Sequence, residues 1–141
     1  MSKKLIGLAI LLCSVTYAFS QKEDTYPIDK QLKACLDSGQ NETTSRMVGC
    51  TADAERAWDA EMNKYYKLLQ GVLSSEEKAK LKEAQLKWLA FRDAETVAVE
   101  KIYDDMGGTM WRIAEVNAEM ELVKQRALEL KAYYGDLTAG K

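Results

Sequence analysis

The sequence predicts an all-α fold, an antiparallel three-helix bundle of long helices with a short, disulfide-linked N-terminal helix. Apolar residues recur at threes and fours through three segments of roughly 25 to 30 residues each, the spacing of a one-faced helix. No stretch alternates with the two-residue period of a half-buried strand. Two cysteines, Cys35 and Cys50, lie just ahead of and just inside the first long segment.

The chain opens with Lys3 and Lys4, an apolar run from Leu5 to Val15, and Ala18-Phe19-Ser20 with small residues at both ends. That is the pattern of a signal peptide over residues 1 to 20, cleaved near Ser20-Gln21, with a periplasmic or secreted destination. The run is shorter than the about 20 residues a permanent anchor needs, so no stable membrane anchor is expected. Cys13 follows Leu12 rather than a small residue, which reads against lipid attachment. Residues 21 to 27, QKEDTYP, form a polar tether ending in the sole proline.

A short helix follows from Ile28 to Leu36, stopped by the turn-like run DSGQNETT. The triplet Asn41-Glu42-Thr43 within it matches a glycosylation sequon, a pattern common by chance. Thr43 or Thr44 caps the first long helix, whose seam is Met47, Thr51, Ala54, Trp58, Met62, Tyr65, Leu69 and Val72. Ser74 or Ser75, with Glu76 and Glu77 behind it, starts the second, whose seam is Leu81, Ala84, Trp88, Phe91, Ala98 and Ile102. Gly107-Gly108 ends it. The third runs from Thr109 through Met110, Ile113, Met120, Ala127 and Leu130 towards Gly135, leaving a frayed tail at 136 to 141. The folded domain thus covers residues 28 to 135. Short connections make its sequence neighbours antiparallel.

The paired cysteines of an exported chain read as a disulfide. Closing a loop of about 15 residues stabilises by roughly 3 kcal/mol in the chain-entropy account. A redox dithiol lacks its close spacing here, and a metal site lacks histidine or further cysteines.

Composition excludes several functions. The chain has 20 Lys and Arg against 22 Asp and Glu and no histidine. Loss of Lys3 and Lys4 leaves 18 against 22, a net charge of −4. Such a surface does not suit nucleic acid, which takes a basic footprint, and it suits a basic partner weakly. No serine nucleophile motif, phosphate loop, cofactor motif or metal-ligand spacing is present.

The stretch LKEAQLKWLAFRDAET, residues 81 to 96, concentrates charge beside aromatics. Glu95 falls on the seam between Phe91 and Ala98, and Arg92 is three residues before it, so the two share a side of the helix. A carboxylate there needs a partner, and Arg92 is the local one. Asp93 points away, towards Arg126 or Arg112 of a neighbouring helix. A polar lock between helices, a partner contact and a catalytic pair are the three readings. The lock is favoured, because carboxylate catalysis needs a cleft that a compact bundle lacks.

The segments TTSRMVGCTADAERAWDAEMNKYYKLL, LKEAQLKWLAFRDAET, GGTM and ELVKQRALEL together resemble the N-terminal domain of the LprI-type lysozyme inhibitors. The resemblance runs from about Cys35 to Tyr134. Asn63 and Tyr66 match an Asn-x-x-Tyr motif, and Trp88, Phe91, Arg92, Asp93 and Glu95 match a Trp-x-x-Phe-Arg-Asp-x-Glu-Cys motif. Gly107, Gly108, Gln125, Arg126 and Leu130 match the remaining hallmarks. The family cysteine after Glu95 is Thr96 here, and its partner position falls near Ala118. The resemblance therefore implies that a second bridge, between the last two helices, is lost. It also implies an exported protein that binds a protein partner, lysozyme; the missing motifs, for their part, lead to the expectation of no catalytic residue, cofactor or metal. The alternatives are an envelope interaction module with another partner, and an enzyme acting on cell-wall material.

Overall fold

The computed structural model describes residues 26–38 and 43–139. These form four helices: α1 (Pro27–Asp37), α2 (Thr44–Val72), α3 (Ser75–Met106) and α4 (Thr109–Ala139). The signal-peptide residues and the sequon's Asn41 and Glu42 lie outside the described residues.

Each boundary has a local cause. The Thr43 side chain accepts from the Arg46 N–H at 3.3 Å and so caps α2. Ser74 caps α3 in a reciprocal box, its N–H donating to Glu77 Oε2 at 2.7 Å while Glu77 N–H donates to Ser74 Oγ at 3.4 Å. Gly107 and Gly108 have φ of 66° and 91°, a left-handed course that side chains resist, and the chain reverses there into α4. Two boundaries differ from the sequence reading. Pro27, assigned to the tether, is the first residue of α1, because its fixed φ suits a helix start and its missing N–H is no loss there. Gly135 does not end α4, which continues to Ala139 through the segment read as a frayed tail.

The three long helices are joined by short turns, but the core lies between α2 and α4, which are not neighbours in sequence. Thr51 meets Asn117 and Tyr65 meets Tyr134, so these two helices run parallel. Ala54, Trp58, Met62 and Leu69 interleave there with Met120, Val123, Ala127 and Leu130. The α2 seam is thus the predicted one, except that Val72 is exposed.

A compact three-helix bundle is not what α3 makes. It leans on α4, approaches α2 sparingly and buries no residue fully. Its seam is also displaced from the predicted one. The partly buried line runs Leu81, Gln85, Trp88, Arg92, Glu95, Val99 and Tyr103, while Ala84, Phe91, Ala98 and Ile102 face solvent. Phe91 is 51% exposed and Ile102 57%. The two lines coincide at Leu81, Trp88 and Glu95 and part by one residue at the others, a mean rotation of about 60°.

At the other flank, α1 and its cap residue Tyr26 are tied to the core four ways. The Cys35–Cys50 disulfide, with Cα atoms 5.9 Å apart, joins it to α2. Arg46 donates to the Cys35 carbonyl at 2.9 Å and the Leu36 carbonyl at 3.1 Å, satisfying the open end of α1 with a cation. Asp29 pairs with Lys124 of α4 at 3.0 Å, and Tyr26 packs edge-on against Trp58.

Candidate functional site

The motif residues fall into three groups. Asn63 and Tyr66 project from α2 into a hollow of about 280 Å³ against α3, shared with Asp59, Met62, Lys82 and Leu89. Arg92 reaches an adjoining hollow of about 510 Å³, bordered by Glu55, Arg56, Asp59 and Val123. Asp59 borders both, making one trough along the α2–α3 junction. Asn63 Nδ2 donates to the Asp59 carbonyl at 2.9 Å and to its carboxylate at 2.8 Å, which fixes the carboxylate one turn behind. Asp59 was not singled out from sequence, although its i,i+4 spacing to Asn63 is a legible signal.

The Arg92–Glu95 lock is not formed. Arg92 donates to Oδ1 of its neighbour Asp93 from Nε at 3.0 Å and Nη2 at 2.6 Å, and its guanidinium lies 5.6 Å from the Trp88 ring centre. The pair is solvated, the side chains being 30% and 66% exposed. Glu95 is half-buried and makes no ion pair among the described residues. Asp93 reaches neither Arg126 nor Arg112, and Arg112 pairs instead with Glu115 at 2.7 Å. Because α3 stands off from α2, water reaches Glu95 and a buried partner is not required.

A polar lock does exist two seam positions before Arg92, at Gln85. Arg126, 8% exposed, donates from Nε to Gln85 Oε1 at 3.0 Å and from Nη1 to Glu129 at 2.5 Å. Gln85 also contacts the Met62 sulfur at 3.6 Å, so one side chain links all three long helices. Tyr133 donates to the other Glu129 oxygen at 2.7 Å. Burial works against the Glu129 carboxylate, but the Tyr133 hydroxyl and the Arg126 guanidinium outweigh it and hold its pKa below the ordinary value. Gln85 falls outside the apolar seam read from sequence, yet it lies four residues after Leu81 and three before Trp88, on the same face.

The third group is the Gly107–Gly108 turn, at the end of the molecule that also carries the disulfide. Tyr103 and Trp111 stack behind it, ring centres 5.9 Å apart and planes 17° from parallel. Carboxylates gather below. The Glu119 carboxyl is pushed above its usual range, first by burial and then by Glu55 and Glu115, with Arg112 opposing. A Cβ at either glycine would meet open space, so φ alone requires glycine there.

Chemically, the trough offers carboxylates, guanidinium groups and an amide, but no histidine or thiol, and Cys35 and Cys50 are committed to each other. Among the described residues no group of His, Cys, Asp and Glu is placed to hold a metal ion. No helix among them is long and apolar enough to cross a membrane. The arrangement presents fixed polar and apolar groups on rigid helices, which suits contact with another macromolecule.

The profile of the family described as "Lysozyme inhibitor LprI" matches residues 35–130. Among solved structures, the chain is similar to an uncharacterized protein from Burkholderia thailandensis, with a TM-score of 0.75 and 26% identity. The match covers 81% of this chain and 56% of that one, so the chain spans little more than half of that protein's length. No curated protein matches the sequence significantly.

Proposed function

The chain belongs to the LprI lysozyme-inhibitor family, and on that premise we propose that it is an exported envelope protein that binds and inhibits a lysozyme. The single observation that carries this is the family match across residues 35–130, which takes in α2, α3 and most of α4. Export rests on Lys3 and Lys4, the apolar run from Leu5 to Val15 and the Ala18-Phe19-Ser20 tripeptide. A scaffold with net acidic charge suits a cationic hydrolase, whose approach it would steer. In this reading the protein has no reaction of its own, and Asn63, Tyr66, Arg92 and Asp93 shape or present its surface.

The test is lysozyme turnover of cell-wall substrate with increasing mature protein. Saturating inhibition is the expected outcome. Binding without inhibition would make the chain an envelope interaction module, and neither would sink the reading. Solubilisation of cell wall by the protein alone would point to an enzyme instead.

A further inference from the structure

The α3–α4 end carries apolar side chains that the fold does not use. Ile102 is 57% exposed, Met106 54% and Met110 69%, all within one turn or two of Gly107-Gly108. Large aliphatic and thioether groups left in water and rimmed by charge mark contact surfaces more often than accidents. The rim is net acidic: Glu100, Asp104 and Asp105 lead into the turn, while Lys101 is paired with Asp105 at 2.7 Å and Arg112, beyond it, with Glu115 at 2.7 Å. The glycines make the reversal tight, and the Tyr103–Trp111 stack fixes the two helices directly behind it. A narrow, preorganised, acidic and apolar tip results, and preorganisation lowers the entropy cost of docking.

We propose that this tip, with Ile102, Met106 and Met110 at its surface and Asp104 and Asp105 on its rim, is the face that docks into the cleft of a cationic protein. This rests on the lysozyme-inhibitor reading and names the contact face that reading leaves open. Charge selects the occupant. Two copies meeting tip to tip would bring like carboxylates together, and an anionic membrane surface would repel the same groups. A basic partner gains steering from the acids and burial from the methionines.

Isothermal titration of purified lysozyme into the mature protein tests this, with D104N/D105N, M106S/M110S and, at the opposite end of α3, K80A. All substituted side chains are exposed or, for Asp104 and Asp105, on the exposed rim, and matching circular dichroism melts keep a folding defect separate from a contact defect. The expected result is K80A binding like the parent. M106S/M110S should weaken binding by roughly tenfold or more at any salt, and D104N/D105N by a similar factor that shrinks as salt rises. Full binding by both tip variants, with the parent also binding, would overturn the tip while leaving the lysozyme reading intact. No binding by the parent would overturn that reading and the tip with it. Self-association of the parent abolished by the tip substitutions would assign the face to a second copy and also overturn the proposal.

Discussion

The helices α2 and α3 are similar in length, 29 and 32 residues, and opposite in role. α2 buries Cys50, Thr51, Ala54, Trp58, Met62 and Leu69, whereas α3 buries nothing fully. The apolar residues of α2 keep to one stripe, so a single orientation hides them all. Those of α3 are spread round the helix, with Leu81, Trp88 and Val99 inward and Leu86, Phe91, Val97 and Ile102 outward. A helix with apolar groups on several sides cannot hide them all against one neighbour. One long helix thus builds the domain, and the other carries surplus apolar surface into solvent, where a partner can use it.

The widest separation between the two regions is expected from truncation of apolar side chains. Leu130→Ala, in the α2–α4 core and fully buried, should cost about 3 kcal/mol, while Phe91→Ala should cost well under about 1 kcal/mol. Denaturant melts of both variants check this. Equal losses would mean that α3 is packed as tightly as α2.

A smaller contrast separates the two arginines. Arg126→Ala strips the buried link to Gln85 and Glu129 and should cost about 2 kcal/mol. Arg92→Ala removes a solvated pair with Asp93 and should cost below about 1 kcal/mol. The reverse order in thermal unfolding would restore Arg92 as the lock between helices.

The smallest effect concerns Glu119, whose carboxyl pKa is raised by burial and then by Glu55 and Glu115. The folded state then holds this proton more tightly than the unfolded state. Its contribution is favourable below the unfolded carboxyl range and is lost as pH rises through the raised folded value. Glu119→Gln should therefore melt slightly higher than the parent at pH 7, and the advantage should vanish in acid below the unfolded carboxyl range. A variant that melts lower at pH 7 would mean that the carboxylate is held by partners rather than strained by neighbours.

What could be read from sequence follows the same division. The α2 seam from Met47 to Leu69, the α3 cap at Ser74, the Gly-Gly reversal and the Cys35–Cys50 bridge all rest on local pattern or pair chemistry, and the structure has them. The α3 seam was legible only at Leu81, Trp88 and Glu95. Two lines about 60° apart compete there, and the inward one carries Gln85 and Arg92, polar residues that apolar periodicity does not mark. Which line turns inward is decided by α4, through Arg126 and Trp111, and so by contacts remote in sequence. Ile102 and Met110, both read as seam residues, are exposed for the same reason, since apolar type alone places them in a core.

Hydrogen exchange of the mature protein, with and without saturating lysozyme, tests most directly whether α3 and its turn serve the partner while α2 and α4 serve the fold. Without lysozyme, amides of α2 and the α4 core should exchange slowest and those of the α3 C-terminal half faster. Added lysozyme should slow exchange across residues 100 to 112 and leave α1 and the Leu73-Ser74 turn unchanged. Protection confined to α1 or to the Asn63–Tyr66 trough, with residues 100 to 112 unaffected, would contradict the account.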